Sequence, residues 1–155
     1  MNKELVQQAH KGLVIQDIFL HSGEIKTKDD FCPLAEVTPI EIQFKHFIKD
    51  SRTISRESVD HEHMNLIVFR YVAGFRALPK GLPDDEKESS TVVEVIATFS
   101  ACYAMVEELP DEAITEFANY NVGFNVWPYW REYASSTAKR LGLPSFAIPL
   151  YRLPL

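Results

Sequence analysis

The segment Asp60-His61-Glu62-His63 contains the residue types that most readily bind a metal ion. In an extended chain, His61 and His63 lie two positions apart and project from the same face, and zinc sites can use such pairs. A third ligand would have to come from elsewhere, with His21 and His46 as candidates. The alternative interpretation is a polar turn before the next strand. A metal-dependent enzyme that uses His61 and His63 therefore stands as one hypothesis.

Nucleophilic catalysis has less support. Cys32 and Cys102 are isolated thiols without a histidine neighbour in sequence, a pattern typical of small core residues in a reducing compartment. Ser135 and Ser136 lie in a helical pattern without the Gly-x-Ser-x-Gly turn that exposes a nucleophilic serine. Neither glycine-rich phosphate-binding motif is present, and the chain has only 6 glycines to build one. We therefore expect no catalytic residue and no cofactor.

Aromatic residues are concentrated near the C-terminus. Nine of the 18 aromatic residues lie between Phe117 and Tyr151. One helix face cannot bury Trp127, Tyr129 and Trp130 together, because successive helical positions turn by about 100°. Some of these rings must therefore face a neighbouring subunit, a groove or water. A subunit interface and a groove for the apolar side chains of another chain are both consistent with this pattern.

Length, composition and charge limit the classes of function. The 155 residues fit one domain over 1–155, and 46% hydrophobic with 25% charged residues is the balance of a soluble globular protein. No apolar run approaches the ~18 residues that span a bilayer, and the N-terminus lacks the apolar stretch of a secretory signal. A net charge of -6 disfavours nucleic acids and anionic lipids as partners. We expect a cytoplasmic protein whose partners are proteins or small molecules.

Periodicity predicts strands in the first two thirds of the chain. Alternating apolar residues indicate four strands that start near Leu13, Ile40, Asn65 and Val93. A helix over 2–11 precedes them, 27–39 is a loop, and 79–91 is a polar connection. Four sequential strands joined by polar segments predict an antiparallel meander with one solvated face.

The period becomes helical after Leu109. Pro110 and the acidic residues after it start a helix, Gly123 interrupts the pattern, and Pro128 starts a second helix. Gly142, with Pro144 after it, ends the second helix. The expected topology is therefore four strands followed by two helices.

The predicted helices cannot cover the predicted sheet. Four strands of about ten residues present roughly 600 Å² on one face at ~4.8 Å spacing and ~3.3 Å rise. The two helices cover roughly 350 Å² at ~1.5 Å rise and ~10 Å width. The exposed remainder approaches the limit that monomers tolerate. We therefore predict self-association, with helices of neighbouring subunits completing the layer.

The stretch from Val126 to Ser136, Val-Trp-Pro-Tyr-Trp-Arg-Glu-Tyr-Ala-Ser-Ser, resembles the SecB family of export chaperones. In that family an aromatic-Pro-Tyr-x-Arg-Glu string opens the long helix, and the similarity continues through Lys139-Arg140 to Leu143-Pro144 and Ile148-Pro149. Ile15-Gln16-Asp17-Ile18-Phe19 also resembles the first strand of the family. Together with the order of strands and helices, the resemblance extends over nearly the whole chain.

The resemblance implies an α+β fold in which helices pack on one face of a four-stranded antiparallel sheet. It further implies a homotetramer, built as a dimer of dimers, that holds unfolded polypeptides without ATP and supports protein export. The residues that it implies for client binding are Trp127, Trp130, Tyr133, Phe146, Ile148 and Tyr151. Arg131 and Glu132 match the motif and are interpreted as structural ion-pair or capping partners.

Two departures bear on the partner. Family members that work with the SecA motor carry acidic residues on and just after the first strand. The corresponding stretch of this chain, Ser22-Gly23-Glu24-Ile25-Lys26, has Glu24 as its only acid and Lys26 at a position expected to be acidic. Those proteins also carry a flexible tail that docks on the motor, and this sequence ends at Leu155. Both differences fit a second branch of the family, which protects unstable antitoxins of toxin–antitoxin systems. An antitoxin is therefore the alternative partner to exported clients and SecA.

Overall fold

The computed structural model describes residues 1–35, 38–57, 59–60 and 62–153. The elements follow in the order α1 (Lys3–Gly12), β1 (Leu13–Thr27), β2 (Ile40–Glu57), β3 (His63–Pro79), α2 (Asp84–Lys87), β4 (Val93–Met105), α3 (Asp111–Phe117), a π-helical turn (Ala118–Val122) and α4 (Gly123–Arg140). The predicted strands and the first helix are present, and α2 is a short addition within the polar connection. The α+β class predicted from the sequence is confirmed.

The strands of the described residues form one antiparallel sheet in the order β1-β4-β3-β2. The predicted meander is therefore correct for β2, β3 and β4 but wrong for β1, which pairs with β4 at the opposite edge from β2. Tight hairpins use two to five loop residues. The connection 28–39 has twelve, enough to cross the roughly 14 Å between the two edge strands. Phe31 in this connection packs against the core.

The period-2 pattern assigns the two faces of β3 and β4 correctly. Phe69 and Phe75 of β3 and Phe99 of β4 face the helices and are buried. Arg70 and Arg76 project from the opposite face, where each pairs with a β2 side chain. These two central strands therefore carry the core of the protein.

Residues 111–140 form one continuous helical stretch, because Phe117, Ala118, Val122 and Gly123 all have right-handed helical dihedral angles. The start near Pro110 is as predicted. Gly142 has φ 69° and ends α4, with hydrogen bonds from Gly142 N to Lys139 O and from Leu143 N to Ala138 O.

The predicted break at Gly123 and the predicted helix start at Pro128 are wrong. Gly123 is the first residue of α4, and Pro128 lies inside the helix. An internal proline costs about 3 kcal/mol relative to alanine. Burial of Trp127 and Trp130 against the sheet, at about 1.5–3 kcal/mol for each large side chain, offsets that cost.

The helix layer leaves part of the sheet uncovered. α4 packs on β3 and β4. On the helix side of β1, Ile15, Leu20 and Ile25 remain 48%, 45% and 49% exposed. The fold thus has the shortfall of apolar cover that the area comparison predicts.

Candidate functional site

α4 positions three of the six predicted client-binding residues across the width of the sheet. Its buried residues recur every three or four positions, as a helix with one apolar stripe requires. Each of the three aromatic rings contacts a different strand. The ring pairs and centroid distances are Trp127 to His46 of β2 at 5.2 Å, Trp130 to Phe75 of β3 at 6.3 Å, and Tyr133 to Phe99 of β4 at 6.2 Å.

The other three predicted residues lie on the segment 144–153, here called the strap, which forms neither helix nor strand. Phe146, Ile148 and Tyr151 are half-buried and pack against the core. Leu150 between them is 72% exposed. The strap therefore points its apolar side chains inward at intervals of two and three residues, as an extended peptide does when it binds a groove.

The strap lies over the β2 side of α4, in a space that we call the β2 crevice. Its walls are Phe44, His46, Phe75, Gly123 and Trp127. Phe146 enters it with ring centroids 6.2 Å from Phe44 and 5.3 Å from Phe75. Tyr151 enters beside Trp127 and His46, at 5.5 Å and 5.6 Å. The indole Nε1 of Trp127 donates a 2.8 Å hydrogen bond to the carbonyl of Pro149, which fixes the strap between these two rings.

A polar pair lies at the base of the β2 crevice. The hydroxyl of Tyr71 is 2.7 Å from Nδ1 of His46 and also interacts with the hydroxyl of Tyr151. Burial lowers the pKa of His46 and raises the pKa of Tyr71 far above its usual value. Both groups are therefore neutral near pH 7, and the Tyr71 hydroxyl can donate to the imidazole. This arrangement anchors the Tyr151 hydroxyl without placing a charge in the crevice.

Tyr133 belongs to a second apolar space, the β1 cleft, on the other side of α4. The cleft has a volume of about 450 Å³, and Phe19, Leu20, Phe99 and Tyr129 contribute to its walls together with Tyr133. Gly23 of β1 makes room for Tyr133, because a Cβ at that position would overlap the tyrosine hydroxyl.

Trp130 differs from the other five residues because it is fully buried. Its ring lies between Phe75 and Tyr133, and its Nε1 has no hydrogen-bond partner among the described residues. Trp130 is therefore part of the core beneath both apolar spaces. It supports the residues that line them.

Sequence reasoning missed His46 and Tyr71 as parts of this site. Both could have been found from the alternation, since His46 is in phase with Phe44 on the inward face of β2, and Tyr71 is in phase with Phe69 on β3.

The histidines proposed as metal ligands do not converge in the part of the chain that the structure describes. His61 lies outside the described residues. His63 is exposed at the start of β3, whereas His46 pairs with Ala73, ten residues further along that strand, or roughly 33 Å away. No group of three His, Cys, Asp or Glu side chains within the described ranges is placed to hold a metal ion.

Comparison with solved structures gives a match over the whole chain. The SecB-like chaperone Rv1957 of Mycobacterium tuberculosis, solved in complex with a ChAD peptide from the Rv1956 HigA1 antitoxin, superposes with a TM-score of 0.71. The match covers 99% of this chain and 100% of that chain, at 17% sequence identity. The chain has a SecB-like fold. No protein-family model and no curated protein sequence matches it.

The SecB-like fold confirms the resemblance found in the sequence and the predicted arrangement of sheet and helices. In this chain the fold places the six predicted residues on two sides of α4, with Trp130 between them. None of the helices in the described residues is long and apolar enough to cross a membrane.

Proposed function

We propose that this protein is an ATP-independent chaperone that holds non-native polypeptide segments on the apolar surfaces flanking α4. The observation that supports the proposal most directly is the pair of aromatic-lined spaces, the β1 cleft and the β2 crevice, on a SecB-like fold. Surfaces of this kind on a soluble protein mark sites for other polypeptides. On this proposal the protein is not an enzyme and needs no cofactor.

The proposed client contacts divide between the two spaces. Tyr133 binds clients in the β1 cleft and Trp127 binds them in the β2 crevice, where the strap residues Phe146, Ile148 and Tyr151 mark the positions of the client side chains. Trp130 contributes from below by holding the rings of Phe75 and Tyr133 in place. Each large client side chain that becomes buried contributes about 1.5–3 kcal/mol before ordering costs.

We further propose that residues 1–155 act as one domain and that four copies assemble as a dimer of dimers in the cytoplasm. The uncovered edge of the sheet exposes three apolar side chains that association would bury, namely Ile15, Leu20 and Ile25. Several client sites on one particle would turn weak contacts into avidity. Such an assembly suppresses aggregation because it binds the unfolded chain by mass action.

A dedicated antitoxin chaperone is the second candidate. The observation that favours it is that the similar structure was solved with an antitoxin peptide bound. In this chain Glu24, the only acid in its stretch of β1, is 3.2 Å from Lys26, so its charge is partly compensated where the SecA motor would expect an acidic surface. Export with SecA is therefore the less favoured partnership.

The test is suppression of aggregation of reduced, denatured α-lactalbumin, measured by light scattering together with the mass of the assembly. We expect the wild type to suppress scattering at stoichiometric ratios, and Tyr133→Ala to require a higher ratio while keeping the assembly intact. Arg131→Ala, on the exposed face of the same helix, is the matched control and should behave as wild type, because Arg131 forms none of the ion pairs found among the described residues. A monomer with no effect on scattering would contradict both the holdase and the assembly.

A binding panel separates the two candidate functions. Similar affinity for many unfolded proteins favours the general holdase. Tight binding to a single antitoxin, with weak binding to all other unfolded proteins, favours the dedicated chaperone. Stoichiometric zinc in the purified protein, together with hydrolytic activity that chelation removes, would instead favour the enzyme hypothesis based on His61 and His63.

A further inference from the structure

The strap is held by its side chains and by one backbone carbonyl. Phe146, Ile148 and Tyr151 face the core, and the Pro149 carbonyl accepts from Trp127. Among the described residues, no hydrogen bond between backbone groups joins 144–153 to the rest of the protein. Segments with few backbone hydrogen bonds and exposed intervening residues are the ones that open locally without global unfolding. The strap can therefore leave the β2 crevice while the sheet and α4 stay folded.

Gly123 makes the docking of Tyr151 specific. Gly123 has ordinary helical dihedral angles, φ −59° and ψ −39°, so its backbone does not require glycine. A Cβ at this position would lie 2.6 Å from Cζ of Tyr151, far inside van der Waals contact. A helix normally disfavours glycine relative to alanine. The absent side chain is therefore explained by the tyrosine ring that occupies its place.

We propose that the strap is an intramolecular ligand of the β2 crevice, and that client segments displace it when they bind. This inference rests on the chaperone function proposed above and specifies its substrate class. The segment that replaces the strap is extended and carries aromatic or aliphatic side chains at positions i, i+2 and i+5, the spacing of Phe146, Ile148 and Tyr151. Such a segment can reproduce the ring contacts with Phe75 and Trp127.

The competition makes a quantitative prediction. When the crevice is open for only a fraction of the time, the apparent affinity for an external segment falls by that fraction. A variant that keeps the strap out of the crevice should therefore bind clients more tightly than the wild type. If the strap were only a wall of the client site, releasing it would weaken binding.

Gly123→Ala in the full chain is the variant that releases the strap. Its methyl group displaces the Tyr151 ring. Because alanine favours the helical backbone more than glycine does, the variant should release the strap without destabilising α4. Tyr151→Ser is a second variant that removes the ring itself. Ala147→Ser changes an exposed strap residue and is the matched control. Trp127 reports release, because its emission shifts to the red and acrylamide quenches it once the strap leaves, whereas the buried Trp130 stays constant.

The experiment measures two affinities for each variant. One probe is a fluorescein-labelled peptide with the strap sequence 144–153, and the other is reduced, carboxymethylated α-lactalbumin. If the wild-type crevice is open about a tenth of the time, Tyr151→Ser binds both probes about tenfold more tightly than wild type and Ala147→Ser. In Gly123→Ala the methyl group excludes the tyrosine ring of the peptide as well as that of the strap. This variant should therefore show release in the Trp127 fluorescence without a gain in affinity for the strap peptide. The peptide with serine at its three anchor positions should not bind.

Unchanged or weaker binding of the strap peptide by Tyr151→Ser would overturn the inference, as would binding of the serine-substituted peptide. These outcomes are separate from failure of the proposed function. That failure would appear as no binding of α-lactalbumin by any variant, while the strap peptide still reports on the crevice.

Discussion

Replacement of Trp130 by alanine gives a direct test of its place in the core. The indole is fully buried and contacts Phe75 and Tyr133. Removing a buried tryptophan side chain costs about 3–5 kcal/mol. The Nε1 of Trp130 has no hydrogen-bond partner within the described structure, and a buried donor without a partner destabilises the folded state by roughly 1–3 kcal/mol. Deletion of the indole removes this donor and so offsets part of the loss. We therefore expect Trp130→Ala to lower the free energy of unfolding by about 2–4 kcal/mol.

This loss is large for a domain whose total stability is about 5–15 kcal/mol. At about 2–4 °C per kcal/mol for a chain of this size, the Tm should fall by roughly 4–16 °C. The assays are calorimetry and urea unfolding at fixed protein concentration, since the proposed association would add to the apparent stability. Tyr129→Ala, on the neighbouring helix position and 46% exposed, is the control and should cost less than about 1 kcal/mol.

Comparison of Trp130→Ala with Tyr133→Ala separates a core role from a client-binding role. At 10 °C, where the variants are folded, Tyr133→Ala should require a higher ratio than wild type to capture reduced α-lactalbumin, and Trp130→Ala should lose less because Trp130 supports the client-binding rings from below. Equal Tm shifts for Trp130→Ala and Tyr129→Ala would refute the packing described for α4. A larger loss of capture by folded Trp130→Ala than by Tyr133→Ala would instead assign Trp130 to client contact.

Three further predictions concern titratable groups. Burial raises the pKa of the Cys102 thiol, so Ellman's reagent should react faster with exposed Cys32, and Cys32→Ser should remove the fast phase. Burial lowers the pKa of His46, so just below pH 6.5 this histidine binds a proton in the unfolded state but not in the folded state. The free energy of unfolding should therefore fall as the pH drops through this range, and the fall should be smaller in His46→Gln. Arg70 donates a hydrogen bond to Asp50 and lowers the pKa of that carboxyl group below 3.8, so the ion pair stabilises the folded state above that pH and is lost as the pH falls through the lowered pKa. In urea melts at pH 2–5, the free energy of unfolding should therefore depend less on pH in Asp50→Asn than in the wild type.

Local patterns in the sequence were sufficient to predict the strands. In β3 and β4, the alternation of apolar and polar residues predicts which side chains are buried, Phe69 and Phe99 among them, since a sheet with one covered face requires a period of two. The end of α4 was equally readable, because Gly142 is the residue type that adopts positive φ after a helix.

The sheet order could not be read in the same way. β1 is apolar on both faces, and nothing within it distinguishes β4 from β2 as its partner. The choice depends on the path of the twelve-residue connection across the sheet, which is a property of the whole fold. Gly123 was misread for a related reason, since its absent side chain serves Tyr151, 28 residues away, and not the local backbone.

The candidate site was predictable in composition but not in arrangement. The aromatic cluster and the family resemblance predicted six client-binding residues, and their role stays a prediction. The depth of Trp130 and the separation of Tyr133 from Trp127 depend on how α4 crosses the strands, and periodicity does not specify that angle.

The pairing of β1 with β4 also has a consequence for synthesis. Thr27 pairs with Val93, 66 positions later, so β1 leaves the ribosome long before its partner exists. At about 5–20 residues per second the delay is roughly 3–13 s. During that time a segment with apolar residues on both faces, among them Phe19 and Leu20, has no strand to pair with. Each new copy therefore passes through the kind of exposed state that finished copies are proposed to shield, which makes a nascent copy of this chain a client that the proposed function includes.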